Sequence, residues 1–172
     1  MRPCWIPSLA NPSLGPADQK VFDNGTREPY PSWRNVNRVF ILKNIPNAHW
    51  VTRELELRSW RLTIYDTCLS EMFRQQINGI TLVLKKFLPK FLFEIGYYLG
   101  AKEQIRPPNV RVFYSKDAPR QCGVLGDCGM FYCMFVEQLS EGQEVNCETP
   151  TDLHSMIFRS RMASILYPTR VT

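Results

Sequence analysis

The sequence predicts an α+β domain, and three observations carry that prediction. Between Arg38 and Tyr65, short apolar runs with strand-like alternation are separated by turn residues. From Cys68 to Leu99 the spacing lengthens towards the period of helices. The chain then returns to a short strand at Val110–Tyr114, ahead of a loop and an apolar run that opens with a cysteine. Strands, then helices, then one late strand and more helix make an α+β order rather than a regular βαβ series.

Taken in order, residues 1–32 form a proline-rich, irregular lead-in, with five prolines before Tyr30 and turn-forming residues between them. Residues 33–172 form the folded domain, starting near Trp33. Arg38–Ile45 reads as a strand, and "PNAHW", in which Asn47–Ala48–His49 make the turn, leads the chain into a second strand at Trp50–Leu57. In that strand Val51, Leu55 and Leu57 share one parity, with Arg53 as an exception, while Thr52, Glu54 and Glu56 take the other, the pattern of a half-buried strand. Trp60–Tyr65 follows a turn at Arg58–Ser59. Helices are expected over Cys68–Asn78 and Ile80–Leu99, with Asn78–Gly79 as a break and Pro89 as a stop or kink. Met130–Leu139 and Pro150–Leu166 complete the set, the last with Thr149 as its N-cap and Asp152 near its positive end.

Composition bounds the function. At 172 residues and 44% hydrophobic content the chain can bury a core of its own. The net charge of +5 is spread over scattered Lys and Arg residues, with no basic run to grip nucleic acid specifically. The apolar stretch at residues 80–100 is interrupted by Lys85, Lys86, Pro89, Lys90 and Glu94, which argues against a membrane span. Six cysteines and two histidines form neither a CxxC nor an HxxxH pattern, so no metal or other cofactor is expected. The N-terminus lacks a signal-peptide pattern, which points to a reducing compartment, the nucleus or cytoplasm, and a monomer is expected.

The chemistry concentrates in "GDCGMFYCMF", residues 126–135. Met130 to Val136 are apolar around the whole helix circumference, so this helix belongs inside the domain. Cys128 falls at its first turn, where unbonded backbone N–H groups and the helix dipole favour a negative sulfur. Gly129 leaves room beside that sulfur for another backbone. Cys133, one turn deeper, reads instead as a small buried hydrophobe.

A nucleophilic cysteine needs a base. His49 ends a turn where a strand begins, a better position for one than His154 on a helix face that reads as solvated. Asp66 ends the strand that pairs with the one His49 starts, so the two side chains can meet at one sheet end and set the imidazole tautomer. Gln121, in the loop before Cys128, can offer its amide to a developing oxyanion beside the Cys128 N–H. Each residue alone has a plainer reading: a buried thiol, a turn aspartate, a polar loop glutamine.

The segments "NAHWV", "WRLTIYDT", "APRQCGVLGDCGMFYCMFVEQL" and "FRSRMASILY" together resemble the ubiquitin-like-protein-specific cysteine proteases that process and remove SUMO, particularly their plant branch. The resemblance runs from about Trp33 to Tyr167 in the order His, Asp, Gln, Cys. It implies a papain-like fold, with a mostly antiparallel central sheet, flanking helices and a buried helix starting at the nucleophile. It implies His49 as base, Asp66 as its orienting acid, Cys128 as nucleophile and Gln121 in the oxyanion hole. Trp50 would lie over the di-glycine end of a SUMO-like partner. Family members also carry an N-terminal helical portion with a Trp-Leu-Asn/Asp-Asp-like motif, which is not found in the 48 residues before His49, so the domain reads as N-terminally truncated. The Gln121–Cys128 loop is one residue longer than the usual family form. A weakly active or inactive module that binds a ubiquitin-like protein is the alternative reading, and a protein acyltransferase a more distant one.

Overall fold

The architecture below comes from a computed structural model, which describes residues 4–5, 35–45, 47–68, 70–94, 97–98, 109–121, 126–145 and 151–167. The expected domain start at Trp33, the Thr149 cap and Pro150 lie outside these residues. The strands are β1 (Cys4–Trp5), β2 (Arg38–Ile45), β3 (His49–Glu56), β4 (Arg61–Tyr65) and β5 (Arg111–Tyr114). The helices are α1 (Glu71–Glu94), α2 (Cys128–Ser140) and α3 (Thr151–Leu166).

The strands form one sheet in the order β1-β2-β3-β4-β5. The inner pairings, β2 with β3 and β3 with β4, are antiparallel, as hairpins require. The outer pairings, β1 with β2 and β4 with β5, are parallel, so the expectation of a mostly antiparallel sheet holds for its centre and not its edges. β1 is an addition to the sequence reading, because a two-residue strand inside a proline-rich stretch has no periodicity to reveal it. β5 joins by a long crossover through α1, which is why its pairing is parallel.

β3 is buried on both faces, which corrects the half-buried expectation: only Trp50 and Glu56 escape full burial. The odd-numbered side chains Val51 and Leu55 join the clusters under α1, with Ile77, Leu84, Leu88 and Leu92. The opposite face packs Phe40 against Phe131, Met134 and Phe135 of α2 and Phe158 of α3. On this second face the buried Glu54 is kept by pairing, since it accepts from Arg38 at 3.2 Å and from the Tyr65 hydroxyl at 3.0 Å. Burial and the adjacent Glu54 carboxylate raise the Tyr65 hydroxyl above its ordinary titration range.

α1 is one helix of 24 residues, not two, and runs through both Asn78–Gly79 and Pro89. Gly79 costs about 1 kcal/mol and an interior proline about 3 kcal/mol. Against this, fully burying each of Ile77, Leu84, Leu88 and Leu92 returns about 1.5–3 kcal/mol. The inward stripe therefore outweighs the breakers, and Asn78 is further tied by the Tyr114 hydroxyl at 2.7 Å.

α2 has no fully exposed residue, in line with its apolar circumference. Burial raises the Cys133 thiol above its ordinary range. His154 is half-buried on α3 rather than on a solvated face, because α3 lies against α2. No helix among the described residues is long and apolar enough to cross a membrane.

Arg53 is the cost of this sheet. It is 1% exposed, its Nε and Nη1 have no hydrogen-bond partner among the described residues, and desolvation lowers its titration from the ordinary arginine range to about 10. At neutral pH the guanidinium is charged both folded and unfolded, so the burial cost is present in full and is relieved only as pH rises above about 10. Arg53→Met should raise the free energy of unfolding at pH 7 by about 1–3 kcal/mol in urea titrations. Gly79→Ala should add about 1 kcal/mol, because nothing stands within 4 Å of the added methyl. In alkylation followed by peptide mapping, Cys133 should label more slowly than Cys68 at neutral pH, and its rate should rise only above the pH at which an ordinary thiol ionises.

Candidate active site

The site is built at one end of the sheet. Ile45 pairs directly with His49, and the turn between them is closed by the Ala48 N–H donating to the Ile45 carbonyl at 3.0 Å. Asn47 takes a φ of 57° there, a left-handed conformation that asparagine tolerates better than most residues. This turn makes His49 the first residue of β3. The β3–β4 register pairs Thr52 with Tyr65, so Asp66 leaves β4 just beyond the pairing, at the same sheet end as His49.

The outcome is a buried hydrogen bond of 2.7 Å between His49 Nε2 and Asp66 Oδ1, with the two residues each 2% exposed. Asp66 also acts as the turn residue its position suggested, because the same Oδ1 accepts the Cys68 N–H at 2.9 Å. A carboxylate facing Nε2 sets the neutral imidazole tautomer with its proton on Nε2. Nδ1 is then the nitrogen with a lone pair to receive another proton. One face of the imidazole is covered by Phe73 of α1, with ring centroids 5.2 Å apart and planes 10° from parallel.

Cys128 is the first residue of α2, as its place after Asp127 suggested. The earliest bonds of the helix run from the Met130 and Phe131 N–H groups to the Asp127 carbonyl, so the Cys128 and Gly129 N–H groups precede the ladder. Asp127 does not cap the helix with its side chain. Its carboxylate is taken by Arg159 of α3 at 2.7 Å, and the same guanidinium donates to the Gly126 carbonyl at 2.9 Å. This clamp engages the acidic side chain and holds a turn in which Gly126, at φ 107°, requires glycine.

Trp50 links the two halves. It is 39% exposed, lies 5.4 Å from the Tyr132 ring, and its Cδ1 stands 3.7 Å from where a Cβ on Gly129 would be. The indole therefore lies along the first turn of α2, and a side chain at Gly129 larger than a methyl would press on it. It is not the core aromatic that a tryptophan in a strand often is. Among the described residues no hydrogen bond joins Cys128 Sγ to His49. The structure brings His49 and Asp66 into contact, and brings the Cys128 end of α2 against the residue next to His49.

Gln121 is tied to the residue after Asp66: the Thr67 hydroxyl donates to Gln121 Oε1 at 3.0 Å, and the Gln121 N–H to the Thr67 carbonyl at 3.2 Å. The carboxamide oxygen faces Thr67, so the –NH2 end is directed away from it. The sequence reading gave Thr67 no role beyond its place at the end of "WRLTIYDT", and it missed Phe73. Thr67 stood beside a singled-out aspartate and could have been weighed as its neighbour, whereas Phe73 carries no local signal because its contact is made across the fold.

No curated protein matches the sequence. Among solved structures, SUMO protease Ulp1 with its catalytic cysteine oxidised to a sulfenic acid superposes with a TM-score of 0.55 at 16% identity, covering 76% of this chain and 52% of that one. The same protease with the cysteine as a sulfinic acid gives 0.52 at 17% identity, again over 76% and 52%. At these identities the likeness is one of fold, and the chain spans about half the length of the structures it matches. The model of the Ulp1 protease family, C-terminal catalytic domain, matches residues 22–169, and the chain belongs to that family.

Proposed function

We propose that this protein is a thiol protease or isopeptidase that cleaves after the C-terminal di-glycine of a SUMO-like modifier. The observation that carries the reading is the buried His49–Asp66 hydrogen bond, set beside a helix-opening cysteine in a chain of the Ulp1 protease family. Cys128 gives its proton to His49 Nδ1, and the thiolate attacks the carbonyl carbon of the terminal glycine. The bound Asp66 carboxylate stabilises the imidazolium so formed. The oxyanion is met by the Cys128 N–H and the Gln121 carboxamide. His49 then protonates the leaving amine as the C–N bond breaks, leaving a thioester on Cys128. Water, deprotonated by His49, attacks that thioester and releases the modifier with a free carboxylate.

Trp50 and Gly129 form the wall past which the di-glycine threads. A surface indole against the first turn of α2 narrows the approach to Cys128, which favours residues without a side chain. The partner is the ubiquitin-like protein and its conjugates, and a reactive thiol suits the reducing conditions of the nucleus or cytoplasm.

The test is release of a fluorogenic group from a SUMO C-terminal reporter, with covalent capture by a SUMO-derived C-terminal electrophile. Cys128→Ser should abolish capture and lower kcat at least about 1,000-fold, and His49→Ala and Asp66→Ala should fall comparably far. A wild-type chain that neither cleaves nor is captured, yet still binds SUMO, would replace the hydrolase with a binding module. Gln121→Ala should lower kcat about 100-fold. Thr67→Val should lower it about tenfold, and should add no further loss in a Gln121→Ala background if Thr67 acts through the carboxamide.

A further inference from the structure

We propose that Phe73 is a positioning residue, which holds the plane of the His49 imidazole and so aims Nδ1. The proposal deepens the reading above and rests on it. The Asp66 bond fixes one corner of the imidazole, with Nε2 at 2.7 Å from Oδ1. One hydrogen bond fixes a point and a line but not a plane, and the terminal torsion of histidine is broad. A second contact has to select the rotation.

Phe73 supplies that contact. Its ring is nearly parallel to the imidazole at 5.2 Å between centroids, within the range of offset-stacked aromatic pairs. Phe73 stands in the first turn of α1 and packs against the cluster of Ile45, Val51, Ile64 and Ile77. Ile45 is the direct cross-strand partner of His49, and Val51 is two residues along the same strand face. The ring that covers the imidazole is thereby anchored to the strands that carry it. The negative face of an aromatic ring also favours a cation above it, so the same contact suits an imidazole that gains a proton during the reaction.

Three variants and two readouts test this. Phe73→Leu and Phe73→Met keep an apolar side chain and lose the flat face, while Phe73→Tyr keeps it. In SUMO-reporter kinetics, Phe73→Leu should lower kcat about threefold to tenfold with KM changed less than about twofold, and Phe73→Tyr should restore kcat. In NMR spectra, the His49 ring protons should carry an upfield ring-current shift in the wild type and Phe73→Tyr that is absent in Phe73→Leu. If Phe73→Leu does not fold, Phe73→Met gives the same comparison. Wild-type kcat in a folded Leu or Met variant, equal loss in Phe73→Tyr, or His49 ring protons that do not move would overturn the proposal. Absence of reporter cleavage by the wild type would instead overturn the proposed function, and the ring-current comparison would still show whether Phe73 holds the imidazole.

Discussion

The hydrogen bond between His49 and Asp66 is the constraint around which the site is arranged. Two polar side chains, nearly sealed from water, satisfy one another at one end of the sheet. Leaving either alone there would cost on the order of 1–3 kcal/mol for an unsatisfied buried group, and more for an unpaired carboxylate. The pair therefore contributes to the stability of this sheet end, and the β2–β3 turn and the β3–β4 register bring its two members together. Among the described residues Asp66 Oδ2 has no hydrogen-bond partner, so the carboxylate is held through Oδ1 alone.

That pair takes on meaning through α2. The helix is apolar enough to be driven between the sheet and α3, and its burial fixes where its first turn ends up. Arg159 pairs with the Asp127 carboxylate next to that first turn, and Trp50 packs beside it. Function-bearing groups thus come from three separate places in the chain, each held by ordinary packing or pairing. The Asp66–Thr67–Cys68 turn serves the aspartate through one neighbour and Gln121 through the other.

Much of this was legible in the sequence. Strand periodicity located β2, β3 and β4 within a residue or two, because two-residue alternation is a local property. The meeting of His49 and Asp66 followed from hairpin geometry alone, since a two-strand turn places the start of one strand beside the end of the next. The position of Cys128 at a helix start followed from the change at Gly129 from polar loop to apolar run. What was not legible depended on partners far along the chain. α1 continues past Gly79 and Pro89 because a whole stripe of leucines is buried, which no local breaker rule can weigh. β3 was expected to show one face to water, yet α2 covers that face. The stacking of Phe73 and the tie from Thr67 to Gln121 are contacts between elements and leave no trace in spacing.

The most direct test is the tautomer of His49, read by nitrogen-15 NMR on histidine-labelled protein. The chain has two histidines, so a His154→Gln variant assigns the signals without ambiguity. Neutral His49 should carry its proton on Nε2, with a one-bond coupling to a slowly exchanging, strongly downfield proton that disappears in Asp66→Ala. A proton resident on Nδ1, or an Nε2 resonance indifferent to Asp66, would contradict it.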